Sequence, residues 1–178
     1  YAGVNLTIPL KEVAFQNFDP KCIQPCARLL GAVNTVKFSD GQLWGYNTDG
    51  YGFLKAVEEA FGSVIEGKRV FLMGCGGAGR AVALMAAQRG AAEFSLSDVD
   101  ATRIGNLASE LDSDATVNNV GVLELSDQIE RCREADLVIQ ASPIGMNPLD
   151  PSLLPAEAFR KGQAVFDLIY MYPETALL

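Results

Sequence analysis

The chain has 178 residues, 49% of them hydrophobic and 20% charged, a balance that supplies a packed core and excludes the charged, apolar-poor composition of disorder. A formal net charge of -8, with no run of Lys and Arg, removes the attraction that holds proteins to phosphate backbones, so nucleic acid is not an expected partner. Apolar stretches are broken by Gly, Arg or Asp well short of the roughly 18 residues a membrane span requires, and no targeting pattern opens the chain, which reads as soluble and cytoplasmic.

Residues 4–8 read as a strand ended by Pro9, and residues 22–30 as a helix closed by Gly31. Residues 33–38 and 43–46 flank Asp40-Gly41, a pair that accepts positive φ at both positions and therefore predicts a hairpin. A helix over about residues 50–61 joins this mixed region to the rest. Residues 69–73, apolar from Val70 on, predict a buried strand; a Gly-rich turn follows, then an Ala-rich helix over about residues 80–89 stopped by Gly90. Beyond it come a strand at 94–98, a helix at 101–111, an extended stretch at 115–120, a helix at 123–132, and strands at 137–141 and 164–168.

This alternation is the signature of a parallel sheet flanked by helices. The fold class expected is α/β: a Rossmann-type doubly wound sheet over residues 49–178, preceded by an incomplete mixed α/β domain over residues 1–48, with the boundary near Thr48. Both ends look cut, because the chain opens directly into a strand and stops with no further strand to close the first region's sheet. No internal repeat or low-complexity segment stands out.

Four Cys, at 22, 26, 75 and 132, lack Cys-x-x-Cys spacing, and no His is present to complete a zinc site, so reduced packing thiols and no metal are expected. The missing His also leaves proton transfer to Lys, Asp, Glu, Tyr or Cys.

Gly74-Cys75-Gly76-Gly77-Ala78-Gly79 matches G-x-G-x-x-G and lies between a predicted strand and a predicted helix. In that context the first Gly permits the tight turn, the second lets the backbone approach a pyrophosphate, and the third lets the helix pack close to the strand, while the helix N-terminus offers free N–H groups. Asp98 follows at close to the spacing of about 20 residues at which an acidic side chain receives the ribose hydroxyls of NAD. A 2'-phosphate would face Asp98 and Asp100; Val99 offers it no guanidinium, although Arg103 is within reach along the chain. NAD is therefore favoured over NADP. The bland alternative makes Asp98 a cap of the next helix.

Gly3-Val4-Asn5-Leu6-Thr7-Ile8-Pro9-Leu10-Lys11, Gly31-Ala32-Val33-Asn34-Thr35, Asn47-Thr48-Asp49-Gly50-Tyr51-Gly52, the glycine turn, Ser142-Pro143-Ile144-Gly145-Met146 and Asp167-Leu168-Ile169-Tyr170 together resemble the ordered motifs of the shikimate dehydrogenase family. The resemblance implies an NAD(P)-dependent oxidoreductase that interconverts shikimate and 3-dehydroshikimate, or quinate and 3-dehydroquinate, with residues 1–48 as substrate domain. It implies Lys11 and Asp49 as the catalytic pair, and Thr7, Asn34 and Tyr170 beside them as substrate ligands. It places Ser142 and Leu168 with Gly74, Cys75, Gly76, Gly77, Ala78, Gly79, Asp98, Val99 and Arg103 on the cofactor. Its early Ser-rich motif would lie before Tyr1, and its late Gly and Gln positions beyond Leu178. Asp98-Val99, where many relatives carry Asn and Arg, leans toward the NAD-using quinate/shikimate branch.

The chemistry agrees with that assignment. Oxidising a secondary alcohol needs a group to take its proton as hydride leaves, and a partly desolvated Lys can serve, with a neighbouring Asp fixing the amine; either member can move the proton. The expected partner is a small polyol carboxylate, shikimate or quinate, in a possible homodimer, with no nucleic acid or membrane. Two rivals stay open: a non-catalytic sensor or repressor on the same fold, and another Rossmann oxidoreductase such as a methylene-folate dehydrogenase relative, which leaves the Lys11, Asn34 and Asp49 motifs unexplained together. Taken alone, Lys11 reads as a solvated residue after a strand, and Asp49 as a helix N-cap.

Overall fold

The computed structural model describes residues 1–7, 9–62, 65–114, 117–122 and 127–178. The chain divides into two compact units, Tyr1–Ala56 and Val57–Leu178, with the division inside a helix that starts at Asp49.

In the first unit, strands β1 (Gly3–Asn5), β2 (Thr35–Ser39) and β3 (Gln42–Tyr46) form an antiparallel sheet in that order. Asp40 and Gly41 sit between β2 and β3 at φ 53° and 73°, the two positive values a two-residue primed turn demands, and Ser39 pairs with Gln42 across it. Helices α1 (Leu10–Asn17) and α2 (Pro25–Leu30) precede β2. Ile23, Ala27, Val33 and Val36 make the unit's core, with Leu6, Ala14, Phe15 and Phe18 packed against it.

The expected strand at 4–8 is shorter than predicted. Pairing stops at Asn5, Leu10–Asn17 is a helix that the sequence reading did not anticipate, and Ile8 lies outside the described residues. The helix expected over 22–30 is split, because Pro20 and Pro25 each open a separate short helix, a 3-10 turn at Pro20–Cys22 and then α2. Gly31 closes α2 in the left-handed conformation at φ 62°.

Helix α3 (Asp49–Phe61) leads into the second unit. There β4 (Arg69–Met73), β5 (Glu93–Ser97), β6 (Asn119–Val122), β7 (Leu137–Gln140) and β8 (Ala164–Asp167) form a parallel sheet in the order β6-β5-β4-β7-β8. Helices α4 (Gly77–Gln88), α5 (Ala101–Asp112) and α6 (Gln128–Glu134) connect these strands. The strand order reverses between β4 and β7, the switch point at which Rossmann-type sheets bind their ligands.

Val70, Phe71, Leu72 and Met73 are all buried, as are Leu137, Val138 and Ile139, because both faces of these central strands are covered. Phe71 and Met73 pack with Cys132, Ala135, Val138, Leu154 and Ala158 on one face. Val70 and Leu72, one step out of phase, point to the other. The extended stretch expected at 115–120 is realised later, as β6, with 115 and 116 outside the described residues; the helix expected at 123–132 begins at Gln128, with 123–126 likewise outside.

Candidate functional site

In the first unit, one carboxylate gathers its neighbours. Lys11 Nζ donates to Asp49 Oδ2 at 2.6 Å, and Asn34 Nδ2 donates to Asp49 Oδ1 at 2.8 Å. Lys11 lies in the first turn of α1, not after a strand, and its carbonyl accepts from Val33 N–H at 3.0 Å, which ties the helix to the segment carrying Asn34. Asp49 opens α3, and its two oxygens are engaged from outside that helix.

Asn34 is 7% exposed and fixed on every side. Its N–H donates to Tyr46 O and its carbonyl accepts from Leu6 N–H, so the backbone is held between β1 and β3. Its amide also donates to Thr48 Oγ1 at 3.0 Å, while Oδ1 accepts from Thr48 N–H at 3.0 Å and from Thr35 Oγ1 at 2.9 Å. Both amide hydrogens and both oxygen lone pairs are thus in use. Any further group bonding Asn34 has to replace one of these bonds, and Thr48's hydroxyl, which can turn to other partners, is the exchangeable one.

Sequence reasoning singled out Lys11, Asn34 and Asp49, and the fold brings those three together. It passed over Thr48 and Asn47. Asn47, 7% exposed, donates to Ala32 O and accepts from Asp49 N–H, so it fixes the backbone that carries the carboxylate. The available signal was the run Asn47-Thr48-Asp49 before a helix, in which sequence reasoning singled out only Asp49 as a site residue. Thr7 is exposed, and its carbonyl accepts from Leu10 N–H; Tyr170 is 91% exposed, in the stretch after β8.

Cys26 lies near the pair: burial raises its thiol pKa and the Asp49 charge adds to the shift, so it stays protonated beside the carboxylate.

In the second unit, the glycine turn occupies the carboxyl end of β4. Gly74 has φ 96°, and a Cβ there would come within 2.6 Å of Ser142 N, so the turn and the loop after β7 touch backbone to backbone. A Cβ at Gly79 would meet Gly74 O at 1.8 Å, which is why α4 can start so close to the turn. At Gly76 and Gly77 a Cβ would enter open space, and α4, which begins at Gly77, has Gly76 as its N-cap and no side-chain cap. The outer side of the turn therefore offers uncapped helix N–H groups and room for a ligand to reach them.

Asp98 closes this arrangement. Its Oδ2 accepts from Cys75 N–H at 2.6 Å and its Oδ1 from Asp100 N–H at 2.9 Å. The helix cap of α5 is Asp100, which accepts from Thr102 and Arg103 N–H, so the capping alternative for Asp98 fails. Val99 is fully exposed, and Arg103 pairs with Asp100 Oδ2 at 3.3 Å. The Cys75 thiol is pushed up to about 12 by burial, reinforced by Asp98, and is a packing group. Ser142 and Leu168 flank Gln140: Ser142 N–H donates to Gln140 Oε1 and Leu168 N–H to Gln140 O, each at 2.9 Å. Gln140 was not anticipated, although a polar residue ending the apolar run Leu137-Val138-Ile139 signals a buried hydrogen-bonding duty.

A parallel sheet in this order with a G-x-G-x-x-G turn at its switch point defines the second unit as a Rossmann-type dinucleotide-binding fold. No protein-family model matches the chain. It is 40% identical over 99% of its length to the shikimate dehydrogenase (NADP(+)) of Methanopyrus kandleri. Shikimate 5-dehydrogenase from Listeria monocytogenes, solved with shikimate and NAD, matches 99% of the chain with TM-score 0.86 at 30% identity. Quinate dehydrogenase from Corynebacterium glutamicum, solved with NAD, matches 99% of it with TM-score 0.87 at 30% identity. The chain spans 61% of the Methanopyrus kandleri protein and 62% of each of these two solved chains. Over nearly all of its own length the chain is similar to shikimate and quinate dehydrogenases.

The two solved relatives hold NAD, and the glycine turn here has the features such a group requires: open space at Gly76 and Gly77, a helix N-terminus with no side-chain cap, and a carboxylate just after β5. Among the described residues no helix is long and apolar enough to cross a membrane.

Proposed function

We propose that the chain is part of an NAD(P)-dependent dehydrogenase of the shikimate and quinate type, exchanging a hydride with the ring hydroxyl of a polyhydroxylated cyclic acid. The observation that carries the reading is the Lys11–Asp49 contact of 2.6 Å, with Asn34 on the second carboxylate oxygen. A pair this exposed to water contributes at most about 1 kcal/mol to stability, so fold maintenance does not account for three elements converging on one carboxylate.

In the proposed oxidation the substrate's C–H leaves as hydride and its O–H proton passes to the Lys11–Asp49 pair; reduction runs the same transfers backward. The nicotinamide, when bound, supplies the hydride acceptor or donor. Asp49 holds the amine in place, and Asn34 and Asn47 hold Asp49, so the proton acceptor is oriented before substrate arrives. Asn34, Thr7 and Tyr170 are assigned to the substrate, whose hydroxyls are discriminated by paired donors and acceptors.

NAD is the favoured cofactor. The Asp98 carboxylate suits ribose hydroxyls, Val99 brings no positive charge to a 2'-phosphate, and Arg103 is neutralised by Asp100. The names of the curated relatives read NADP(+), so this preference is particular to the chain's own residues. Its free cysteines suit a reducing, cytoplasmic setting.

The test is the initial rate with shikimate and quinate against NAD and NADP, followed by the near-ultraviolet absorbance of the reduced nicotinamide. Turnover with one of the acids, faster with NAD, is expected. Ligand binding without turnover in any of the combinations would favour a sensor and overturn the proposal.

A further inference from the structure

Gln140 is 1% exposed at the carboxyl end of β7, the strand beside the glycine turn. A buried amide must find partners for two N–H groups and an oxygen. Among the described residues, the side-chain partners of Gln140 all belong to the backbone of the following loop. Nε2 donates to Ile144 O at 2.6 Å and to Ser142 O at 3.3 Å, while Oε1 accepts from Ser142 N–H at 2.9 Å. Its own carbonyl accepts from Leu168 N–H at 2.9 Å. The loop's far end has a separate anchor, since Asp150 Oδ2 accepts from Gly145 and Asn147 N–H.

The loop is also the surface that Gly74 needs. A Cβ on Gly74 would strike Ser142 N at 2.6 Å and Ala141 C at 2.7 Å, so the path of residues 141–142 sets the space in which the glycine turn lies. One residue thus fixes the loop after β7 through its side chain, abuts the turn after β4 through that loop, and bonds the segment after β8 through its main-chain carbonyl.

We infer that Gln140 is a positioning residue for the dinucleotide, holding Ser142 and Ile144 where the loop completes the cofactor side of the switch point. This rests on the dinucleotide reading above and adds a residue that acts on the cofactor through the backbone of its neighbours, without touching it.

Gln140→Leu keeps the volume and removes every side-chain bond; Gln140→Glu keeps the shape and makes the donors depend on protonation. A neutral Glu can donate to Ile144 O and accept from Ser142 N–H. An ionised one faces two carbonyl oxygens, and burial moves that ionisation above the usual carboxylate range. The expected results are a dissociation constant for NADH, read by its fluorescence, raised about tenfold in Gln140→Leu. In Gln140→Glu it should stay close to that of the unaltered protein in acid and rise with pH as the carboxyl ionises. Amide exchange at Ser142 in the cofactor-free protein should speed up in Gln140→Leu, and calorimetric binding of shikimate should be unchanged. If Gln140→Leu does not fold by circular dichroism, the pH series on Gln140→Glu decides alone. Folded variants that bind NADH as the unaltered protein does, at every pH, overturn this inference and leave the dehydrogenase proposal standing. An unaltered protein that binds neither NADH nor NADPH overturns both.

Discussion

Asp49 collects two donors from two other elements, yet the side chain is 49% exposed and Lys11 28%. Water already screens such a pair, so removing the amine costs the fold little, whereas under the proposed function it takes away half of the pair that receives the proton. Lys11→Ala is therefore expected to lower kcat by about 10²–10⁴-fold, with the melting temperature and the affinity for NADH nearly unchanged. Steady-state rates alongside a thermal melt check this, and retained turnover would remove Lys11 from the mechanism. The pair was legible in sequence because it sits in two recognisable motifs. The supporting residues were not: Asn47 beneath Asp49, and Gln140 beneath the loop after β7, act through backbone groups brought near by the fold, and a linear reading shows no such neighbours.

Among the elements, the second unit was read with most success where one force dominates. Residues 69–73 and 137–140 are strands because a continuous apolar run fits only a strand covered on both faces. Helix α1 escaped because none of its residues is buried, so its apolar positions carry no strong helical period, and Pro9 looked like the end of a strand when it is the N-cap of a helix. Strand β6 shifted later than expected, and it is an edge strand whose residues are mostly half-exposed, where burial constrains register least. At the junction of β4 and α4 the constraint is steric and severe. Gly79→Ala would drive a methyl group into Gly74 O, a collision that only movement of the helix or the turn relieves. Loss of measurable NADH binding is expected, with a stability loss of about 1–3 kcal/mol by urea unfolding. Unchanged binding would show that the turn can shift without consequence.

For the molecule as a whole, the two ends of the parallel sheet do different work. The carboxyl end carries the glycine turn and Gln140; the amino end carries an ion cluster. There Asp136 accepts from Arg69 N–H at 3.1 Å, from Arg69 Nε at 3.5 Å and from an Arg160 guanidinium nitrogen at 3.2 Å. Burial pushes the Asp136 carboxyl up, but the bonds from Arg69 and the charges of Arg69 and Lys68 outweigh it and hold the group below its ordinary value of 3.8. A depressed carboxylate contributes stability above its unfolded pKa, and that contribution disappears as pH falls through the folded value. Asp136→Asn should therefore be less stable than the unaltered protein at neutral pH, with the gap narrowing below about pH 4. Urea unfolding at neutral and acid pH reads this directly, and a gap independent of pH would remove the carboxylate's charge from the account.

The Asp98 carboxylate spends one oxygen on the amide of Cys75 and the other on that of Asp100. An Asn in its place has a single oxygen to divide between them. Trading this carboxylate for an amide would therefore loosen either the glycine bend or the start of the next helix, so one side chain keeps two segments of the chain in step.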